Sequence, residues 1–561
     1  MTEGSRCFGI SALLRSIWCF GISAPLKSRD TCAVGYILLG ALCAAVFFWR
    51  LGAIPLIGLD EGSYAECSRE MLASGDYVVP TCNGELLFDK PALAYWLQAA
   101  SMRAFGVNSF AARLPSAVES LALVGLTVLL GARLFSRLAG LMAGFALGCS
   151  MVAAGLARLA ILDAAFALAI SASLGAFLLA YVDLAPRWTY LVFWAAMGVS
   201  VMVKGPAGAA LILATVFVFL LIRRDWKAMR RAMPVPGALV CAAIALPWYA
   251  LVEHRTGAFL SEFLVHQNIQ RALGQDFAHN GPFYYYLPAF VVGFFPWSVF
   301  LPAAFSSRKH GREETRKGED IARLFLTVWI GAILVVFSIF RSKLPGYIFP
   351  MYPPSALLVG LVWSRAIERG ELAALRRCGI AAAALACLIA AAMLVAPRYL
   401  PEPIPGLVRA LVPMGASLAV GCAAGYALLA LARPLPAFAA LCAGMGAFVV
   451  TAVWLGLPIA ARTNAVPAMR MGQQIGRRAE PAFAFSLSPP QPQLGFYAGR
   501  AVRRVVSASG IRVAESCLVV AQSDRLRGLP SGGRVEARIG PYVLLRFAHA
   551  TSSSDAHRGR E

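Results

Sequence analysis

The chain has 561 residues, of which 59% are hydrophobic and 14% are charged, and its mean hydropathy is +0.67. Soluble globular proteins are typically about 45–50% apolar and about 25% charged, so this composition excludes a disordered chain, a collagen-like fibre and a small disulfide scaffold, and it argues against an ordinary cytosolic enzyme. The 51 Lys and Arg residues outnumber the 29 Asp and Glu residues, which gives a net charge of +22. Because the basic residues fall between apolar runs, we interpret them as cytoplasmic loops and expect no nucleic-acid partner.

The first 33 residues contain the sequence CFGISA twice, at 7–12 and at 19–24. Residues 1–33 are predicted to be a cytoplasmic N-terminal segment. Two interpretations stay open for it: an interfacial amphipathic helix, or an extension that precedes the true start codon.

Thirteen apolar runs are predicted to be membrane-spanning helices, since a span needs roughly 20 mostly apolar residues. They lie at 34–49, 115–134, 139–156, 163–181, 188–203, 206–222, 236–252, 284–305, 324–340, 347–363, 380–395, 407–431 and 436–458. The sequence therefore predicts a polytopic all-α membrane protein with a transmembrane domain over residues 34–461.

Three basic loops set the expected orientation. They lie near 223–231, 308–317 and 365–377, and counting the spans puts all three on one side of the membrane. The positive-inside rule makes that side cytoplasmic. The loop 52–113, the loop 253–283 and everything after 462 are then expected to face outward.

Residues 462–561 lose the continuous apolar character of the spans. Short β-like runs occur at 482–487, 500–506, 517–521 and 542–547, separated by Pro- and Gly-containing turns. This pattern predicts a small extracytoplasmic α/β domain.

Acidic residues gather in the outward loop 52–113, where Asp60 directly follows the first span. Ionisable groups at the membrane boundary are costly and often functional, although an Asp here could also simply cap a helix. Further charged points follow in the chain, and in the predicted topology they share the outward side: Asp89 with Lys90, Arg158 with Asp163, Lys204, and Arg341 with Lys343. Such a set suits a ligand that combines a phosphate, a sugar or metal partner and an apolar tail.

Some of these residues have a structural alternative. Lys204 and Lys343 could be snorkelling anchors at helix ends, and Arg69 could pair with Glu66 or Glu70 on a solvated helix face. Cys67 and Cys82 share the outward loop, where either a disulfide or two free thiols is compatible with the sequence.

Motifs of the outward loop resemble those of GT-C glycosyltransferases. They are DEGSYAE at 60–66, SREM at 68–71, SGD at 74–76 and DKP at 89–91, followed in the same order by ARLPS at 112–116, LD at 162–163, KG at 204–205, NIQR at 268–271 and KLPGY at 343–347. The chain is most similar to the bacterial 4-amino-4-deoxy-L-arabinose (lipid A) transferases and to protein O-mannosyltransferase-like enzymes. It departs from them at Gly62 and Ser63, where a bulky or basic pair is usual, at Asp89, where Glu is frequent, and at Asn268, where His is usual.

The resemblance implies an inverting transferase that acts on the periplasmic face of the bacterial inner membrane. Its expected donor is a polyprenyl (undecaprenyl) phosphate sugar, either an aminopentose such as 4-amino-4-deoxy-L-arabinose or a hexose, and its expected acceptor is a lipid A-like lipid or glycolipid. The resemblance assigns catalysis to Asp60, Glu61 and Asp163. It assigns substrate binding to Lys90, Tyr64, Arg69, Lys204, Arg271, Lys343 and Tyr347. A divalent metal ion is a candidate cofactor, with Asp89 and His266 as its candidate ligands.

The residue types fit this chemistry. Transfer from a sugar phosphate needs cations at the leaving phosphate and a carboxylate that orients or deprotonates the acceptor. Three alternatives stay open: protein glycosylation, a transporter or flippase for polyprenyl-linked sugars, and an inactive scaffold. The sixty-residue acidic loop argues against a transporter, and the intact Asp60, Asp163 and Lys90 argue against a scaffold.

Overall fold

The computed structural model describes residues 29–264, 281–306, 313–400, 403–463, 465–506, 516–527, 529 and 532–547. Residues 1–28 of the predicted N-terminal segment lie outside these ranges, as do Arg271 and His266.

Helices make up most of the described chain. In chain order they are α1 (Arg29–Cys43, continued by a π-turn at Ala44–Phe48), α2 (Gly58–Ser74), α3 (Leu93–Phe105), α4 (Ser109–Leu134), α5 (Arg137–Gly148), α6 (Met151–Leu156), α7 (Asp163–Tyr181), α8 (Thr189–Lys204), α9 (Pro206–Arg223), α10 (Lys227–Arg231), α11 (Pro234–Thr256), α12 (Tyr286–Gly293), α13 (Leu301–Ser306), α14 (Glu313–Ile339), α15 (Tyr352–Arg369), α16 (Ala373–Val395), α17 (Leu407–Ala430), α18 (Pro434–Thr451), α19 (Leu457–Thr463), α20 (Ala465–Gly476) and α21 (Gln493–Ala498). Each of the thirteen predicted apolar runs contains helix.

Eight helices of the described ranges are long and apolar enough to cross a membrane. A ninth crossing is added if α12 and the helical residues Trp297–Phe305, which meet at 104°, are counted as one span. The predicted runs at 34–49, 139–156 and 188–203 correspond to shorter helices, and α15 is a mixed helix that carries several charges. The predicted fold class, a polytopic helical membrane protein, is confirmed. Of the thirteen predicted spans, eight or nine meet this criterion of length and composition within the described ranges.

Small residues let several of these helices approach closely. A Cβ on Gly131 of α4 would lie 2.6 Å from the Cα of Gly140 in α5. The same applies in the last part of the bundle, where a Cβ on Gly421 would lie 2.6 Å from the Cα of Gly444. Such contacts are typical of helix packing in membranes, where dispersion replaces the hydrophobic effect between helices.

Helix α7 connects the two ends of the transmembrane domain. Its first residue is Asp163, and its last residue, Tyr181, donates a hydrogen bond from its hydroxyl to Asp225 Oδ2 at 3.2 Å. Asp225 lies in the basic segment between α9 and α11, where it also pairs with Arg231 at 2.7 Å. Nineteen helical residues span about 28 Å, so the basic segment and Asp163 lie at opposite ends of the bundle.

Seven strands of the described chain form two sheets. The short hairpin β1 (Thr81–Cys82) and β2 (Glu85–Leu86) lies in the outward loop. Strands β3 (Ala482–Phe485), β4 (Arg503–Val505), β5 (Cys517–Gln522), β6 (Arg534–Ile539) and β7 (Tyr542–Phe547) form a sheet in the order β4-β3-β5-β7-β6, parallel across β4, β3 and β5 and antiparallel across β5, β7 and β6. This sheet and its helices α20 and α21 correspond to the predicted C-terminal α/β domain.

Candidate active site

Helix α2 carries the acidic motif of the outward loop. Asp60 and Glu61 lie in its first turn, where carboxylates are favourable to the helix dipole, and Gly75 ends the helix in the left-handed conformation at φ 74°. The N-cap position is taken by Ile57, so Asp60 does not cap the helix. Its side chain instead lines a cavity of about 360 Å³.

Glu61 points away from that cavity and is buried with Arg113 of α4. The two side chains form a bidentate pair, with Arg113 Nε 2.6 Å from Glu61 Oε1 and Nη2 2.8 Å from Oε2, and both are 1% exposed. Glu61 also accepts hydrogen bonds from the amides of Ile57 at 2.6 Å and Ala160 at 2.8 Å. These contacts favour a structural role for Glu61 over the catalytic role predicted from the sequence.

Asp163 and Lys204 meet although 41 residues separate them. Lys204 Nζ lies 2.8 Å from Asp163 Oδ1, and both side chains are largely buried. The ammonium also lies over the rings of Phe166, at 4.9 Å, and Tyr347, at 5.3 Å. A Cβ on Gly346 would lie 3.0 Å from Asp163 Oδ1, so glycine lets the backbone beside Tyr347 approach the carboxylate. Three predicted site residues are therefore brought together.

Tyr64 connects this cluster with the cavity. Burial raises the pKa of its phenol well above the ordinary value, and the charges of Asp89, Asp60 and Asp163 raise it further. Tyr64 lines the cavity with Asp60 and Asp89 and remains a neutral phenol near pH 7. Its ring also packs at 5.9 Å from that of Tyr95.

Asp89 and Lys90 form a partly buried pair at the cavity. Lys90 Nζ lies 2.7 Å from Asp89 Oδ1 and donates a second hydrogen bond to the Asp89 carbonyl at 2.9 Å. Asp89 lines the cavity with Asp60. The DKP motif thus places a cation beside Asp89, which lines the same cavity as Asp60.

Two predicted substrate-binding cations have structural partners instead. Arg69 is buried and forms a bidentate pair with Glu66, at 2.7 and 2.8 Å, so it is not on a solvated face. Lys343 is 4% exposed and donates hydrogen bonds to the carbonyls of Phe337 and Ser338, both at 2.8 Å. Because these carbonyls belong to the last turn of α14, Lys343 caps the end of that helix.

Arg158 has a similar capping function. It donates hydrogen bonds to the carbonyls of Val46, Phe47 and Arg50 at 3.0 to 3.3 Å, where the first helix ends. It therefore fixes the chain that leads into α2 and does not extend toward the cavity.

The opposite wall of the cavity comes from the C-terminal domain. Its lining residues there are Ala484, Leu487, Pro490, Gln491, Pro492, Val502 and Arg504. This wall could not be predicted from the sequence, because nothing in the local pattern indicates that residues more than 400 positions apart share a cavity. The hairpin residue Asn83 was not predicted either. It joins the two walls, since its side chain donates to the Pro492 carbonyl at 3.2 Å and accepts from the Val502 amide at 3.0 Å.

No three His, Cys, Asp or Glu side chains gather to hold a metal ion in the described part of the chain. Asp89, one predicted ligand, is paired with Lys90, and the other, His266, lies outside that part. The described residues alone therefore do not form a metal site. Cys67 and Cys82 are both free thiols.

The amino-acid sequence is similar to those of named proteins. Residues 89–250 match the family described as dolichyl-phosphate-mannose-protein mannosyltransferase. Two proteins from strains of Pseudomonas aeruginosa, each named undecaprenyl phosphate-alpha-4-amino-4-deoxy-L-arabinose arabinosyl transferase, are 34% identical to this chain over 388 and 419 residues. These alignments cover 67% and 72% of this chain and 69% and 74% of the relatives.

The fold also matches a solved structure. The crystal structure of ArnT from Cupriavidus metallidurans bound to undecaprenyl phosphate superposes with a TM-score of 0.79 at 27% identity, covering 92% of this chain and 98% of that one. The resemblance predicted from the outward-loop motifs is thereby confirmed. The chain belongs to the undecaprenyl phosphate-alpha-4-amino-4-deoxy-L-arabinose arabinosyl transferase family and is a membrane-bound glycosyltransferase.

Proposed function

We propose that the protein transfers 4-amino-4-deoxy-L-arabinose from undecaprenyl phosphate to a lipid A-like acceptor. The observation that carries this proposal is the cavity in which Asp60 and Asp89 face the C-terminal domain, next to the cluster of Asp163, Lys204 and Tyr347. The relatives' name supports the sugar and its carrier. The lipid acceptor is supported by the position of Asp60 in the first turn of α2, which follows the first apolar helix closely in the chain.

In the proposed reaction an acceptor oxygen attacks the anomeric carbon of the sugar, and the bond from that carbon to the carrier phosphate breaks. The carrier phosphate leaves with the electron pair. Asp60 would orient the acceptor oxygen, or remove its proton where the acceptor is a hydroxyl. Lys90 and Lys204 would stabilise the charge that develops on the leaving phosphate.

Asp163 would act as a positioning residue in this scheme. Its carboxylate lies 2.8 Å from Lys204 Nζ, and the ammonium also contacts the face of the Tyr347 ring. These two contacts fix the position of the ammonium. A fixed cation in a partly buried site stabilises charge better than a mobile one, because no reorganisation is needed during the reaction.

The proposed location is the bacterial inner membrane, with the site on the periplasmic face. The basic segment around Arg231 and the cluster around Asp163 lie at opposite ends of α7. With the basic segment in the cytoplasm, the site opens outward.

We also propose the division into a cytoplasmic segment 1–33, a transmembrane domain 34–461 with the catalytic loop 52–113, and a periplasmic domain 462–561. The separate apolar core of the last domain, which includes Met471 and Leu518, supports the final boundary.

Lipid mass spectrometry of a deletion strain tests the proposal. Expression of the wild-type protein should restore an aminopentose-modified lipid, while Asp60→Asn should insert normally, restore none and let the undecaprenyl-linked sugar accumulate. Asp183→Asn is a matched control, because Asp183 is exposed in the turn after α7, has φ +57°, and Asn tolerates that conformation. Full rescue by Asp60→Asn would refute the catalytic role. A wild-type protein that changes the sidedness of the carrier lipid without modifying any acceptor would favour the transporter.

A further inference from the structure

One wall of the cavity carries a cation that the reaction described above does not use. Arg504 lies on β4, at the edge of the C-terminal sheet, and its exposed side chain lines the cavity that Asp60 lines from the other side. We propose that Arg504 binds an anionic phosphate group of the lipid acceptor, so that the C-terminal domain forms the acceptor subsite. This inference rests on the proposed function and deepens it.

The cavity's charge distribution explains why such a cation is needed. Its lining includes three carboxylates, Asp60, Glu85 and Asp89, and in the described part of the chain Arg504 is the one cationic residue that lines it. Carboxylates repel a phosphorylated acceptor, and the repulsion is strong where the walls limit the access of water. A guanidinium on the opposite wall compensates for it and offers the planar donors that suit a phosphate.

Arg504 is carried by an element that hydrogen bonds connect to the opposite wall. Strand β4 pairs in parallel with β3, where Arg504 is in register with Ala484, another lining residue. The C-terminal domain is joined to the outward loop by the Asn83 hydrogen bonds and by Tyr497, whose hydroxyl accepts from the Leu56 amide at 2.8 Å and bonds to Ser109 at 2.8 Å. These contacts place Arg504 and Asp60 on the two walls of one cavity.

Arg504 forms no salt bridge within the described part of the chain. In the same domain, Arg478 and Arg546 do have carboxylate partners, at 3.3 and 3.1 Å.

Apolar side chains complete the match to a lipid-linked anion. Leu59 and Leu86 line the cavity and remain 46% and 59% exposed. The cavity therefore offers apolar contacts beside its charged groups, which a ligand with a polar head and an apolar part can use. A soluble sugar phosphate would leave these side chains in water.

The test measures separate KM values for donor and acceptor with the purified full-length enzyme, using undecaprenyl-phosphate aminopentose and a bis-phosphorylated lipid A. Arg504→Ala should raise the acceptor KM about 10- to 100-fold and leave the donor KM unchanged, because a hydrogen bond to a charged group is lost on the acceptor side only. Arg504→Lys should recover part of the affinity, since it keeps the charge but not the fork. Arg538→Ala is the matched control, because Arg538 is exposed on β6 at the other edge of the sheet.

Each other outcome overturns the inference. An unchanged acceptor KM in Arg504→Ala, or a raised donor KM, would show that Arg504 does not bind the acceptor. An equally large rise of the acceptor KM in Arg538→Ala would show that the effect comes from the overall charge of the C-terminal domain. If the wild-type enzyme transfers no sugar to lipid A, the proposed function fails as well, whereas wild-type transfer with a normal Arg504→Ala enzyme refutes only the acceptor subsite.

Discussion

Two adjacent carboxylates in the first turn of α2 have opposite environments. Asp60 is exposed and lines the cavity, whereas Glu61 is 1% exposed and has both oxygens engaged by Arg113 and by two backbone amides. Successive side chains of a helix point about 100° apart, so one residue can face the ligand while the next holds the helix in place. The DE motif therefore combines a candidate catalytic group with a structural anchor.

We expect Glu61→Gln to destabilise the protein and Asp60→Asn to leave its stability nearly unchanged. Removing one partner of a buried ion pair lowers the free energy of unfolding by about 3–5 kcal/mol, because the remaining charge stays buried without compensation. Thermal unfolding of the two variants in the same detergent measures the difference, with transfer activity recorded in parallel. If Glu61→Gln unfolds at the wild-type temperature and yet is inactive, Glu61 has the catalytic role that the sequence predicted.

Single residues of the site could be predicted from the sequence more easily than their partners. The motifs identified Asp163, Lys204 and Tyr347, but their spacing does not reveal that the lysine pairs with the aspartate beneath the tyrosine ring. Lys343 had the same residue type and a similar position at a helix end, yet its ammonium caps α14. The difference depends on which carbonyls and carboxylates lie nearby, and that information is tertiary.

At the level of elements, the contact between α2 and α21 explains an unusual residue of the motif. Gly62 and Ser63 occupy the positions where the resemblance to GT-C glycosyltransferases leads us to expect a bulky or basic pair. A Cβ on Gly62 would lie 2.7 Å from Gln493 Oε1 and 2.9 Å from the Gln493 amide nitrogen. Glycine thus lets α21 of the C-terminal domain pack directly on α2, which brings the two walls of the cavity together.

We expect Gly62→Ala to loosen this contact. The added methyl group meets a backbone nitrogen that cannot rotate away, and such overpacking typically costs about 1–3 kcal/mol. Hydrogen exchange in α21 and thermal unfolding should both report the change, and the acceptor KM should rise with it. Gly125→Ala is the control, since a Cβ there meets nothing within 4 Å. Equal protection of α21 in both variants would contradict the packing argument.

Predictability of the elements depends on how local their signal is. An apolar run is a local signal, and each of the thirteen predicted runs contains helix. The 104° bend between α12 and the helical residues that begin at Trp297 is not visible in the hydropathy. Strand β6 was missed because its sequence RVEARI carries three charges at the sheet edge. The hairpin of β1 and β2 was missed because each strand has two residues, too few to show alternation.

At the scale of the whole molecule, the two ends of the helical bundle carry different sets of charged residues. One end carries the basic segments, among them Arg365, which pairs with Glu319 at the start of α14. The other end carries Lys343 beyond the last turn of α14, the Asp163 cluster and the C-terminal domain. Helices α7 and α14 each run from one end to the other. A carrier lipid anchored in the bilayer can thus present its phosphate to the charged end while its tail stays among the apolar helices.

This arrangement predicts which residues are accessible from each side of the membrane. A cysteine replacing Arg538 in the C-terminal sheet should react with a membrane-impermeant maleimide in sealed spheroplasts, whereas one replacing Arg230 should react only after lysis. Both side chains are exposed arginines, so their intrinsic access to the reagent is comparable. The unsubstituted protein gives the background; among the described cysteines Cys387 alone is exposed, and it lies within the apolar helix α16. Labelling at position 230 in sealed spheroplasts would show that the protein has the opposite orientation. Asp60 would then lie on the cytoplasmic side, where an extracytoplasmic acceptor could not reach it.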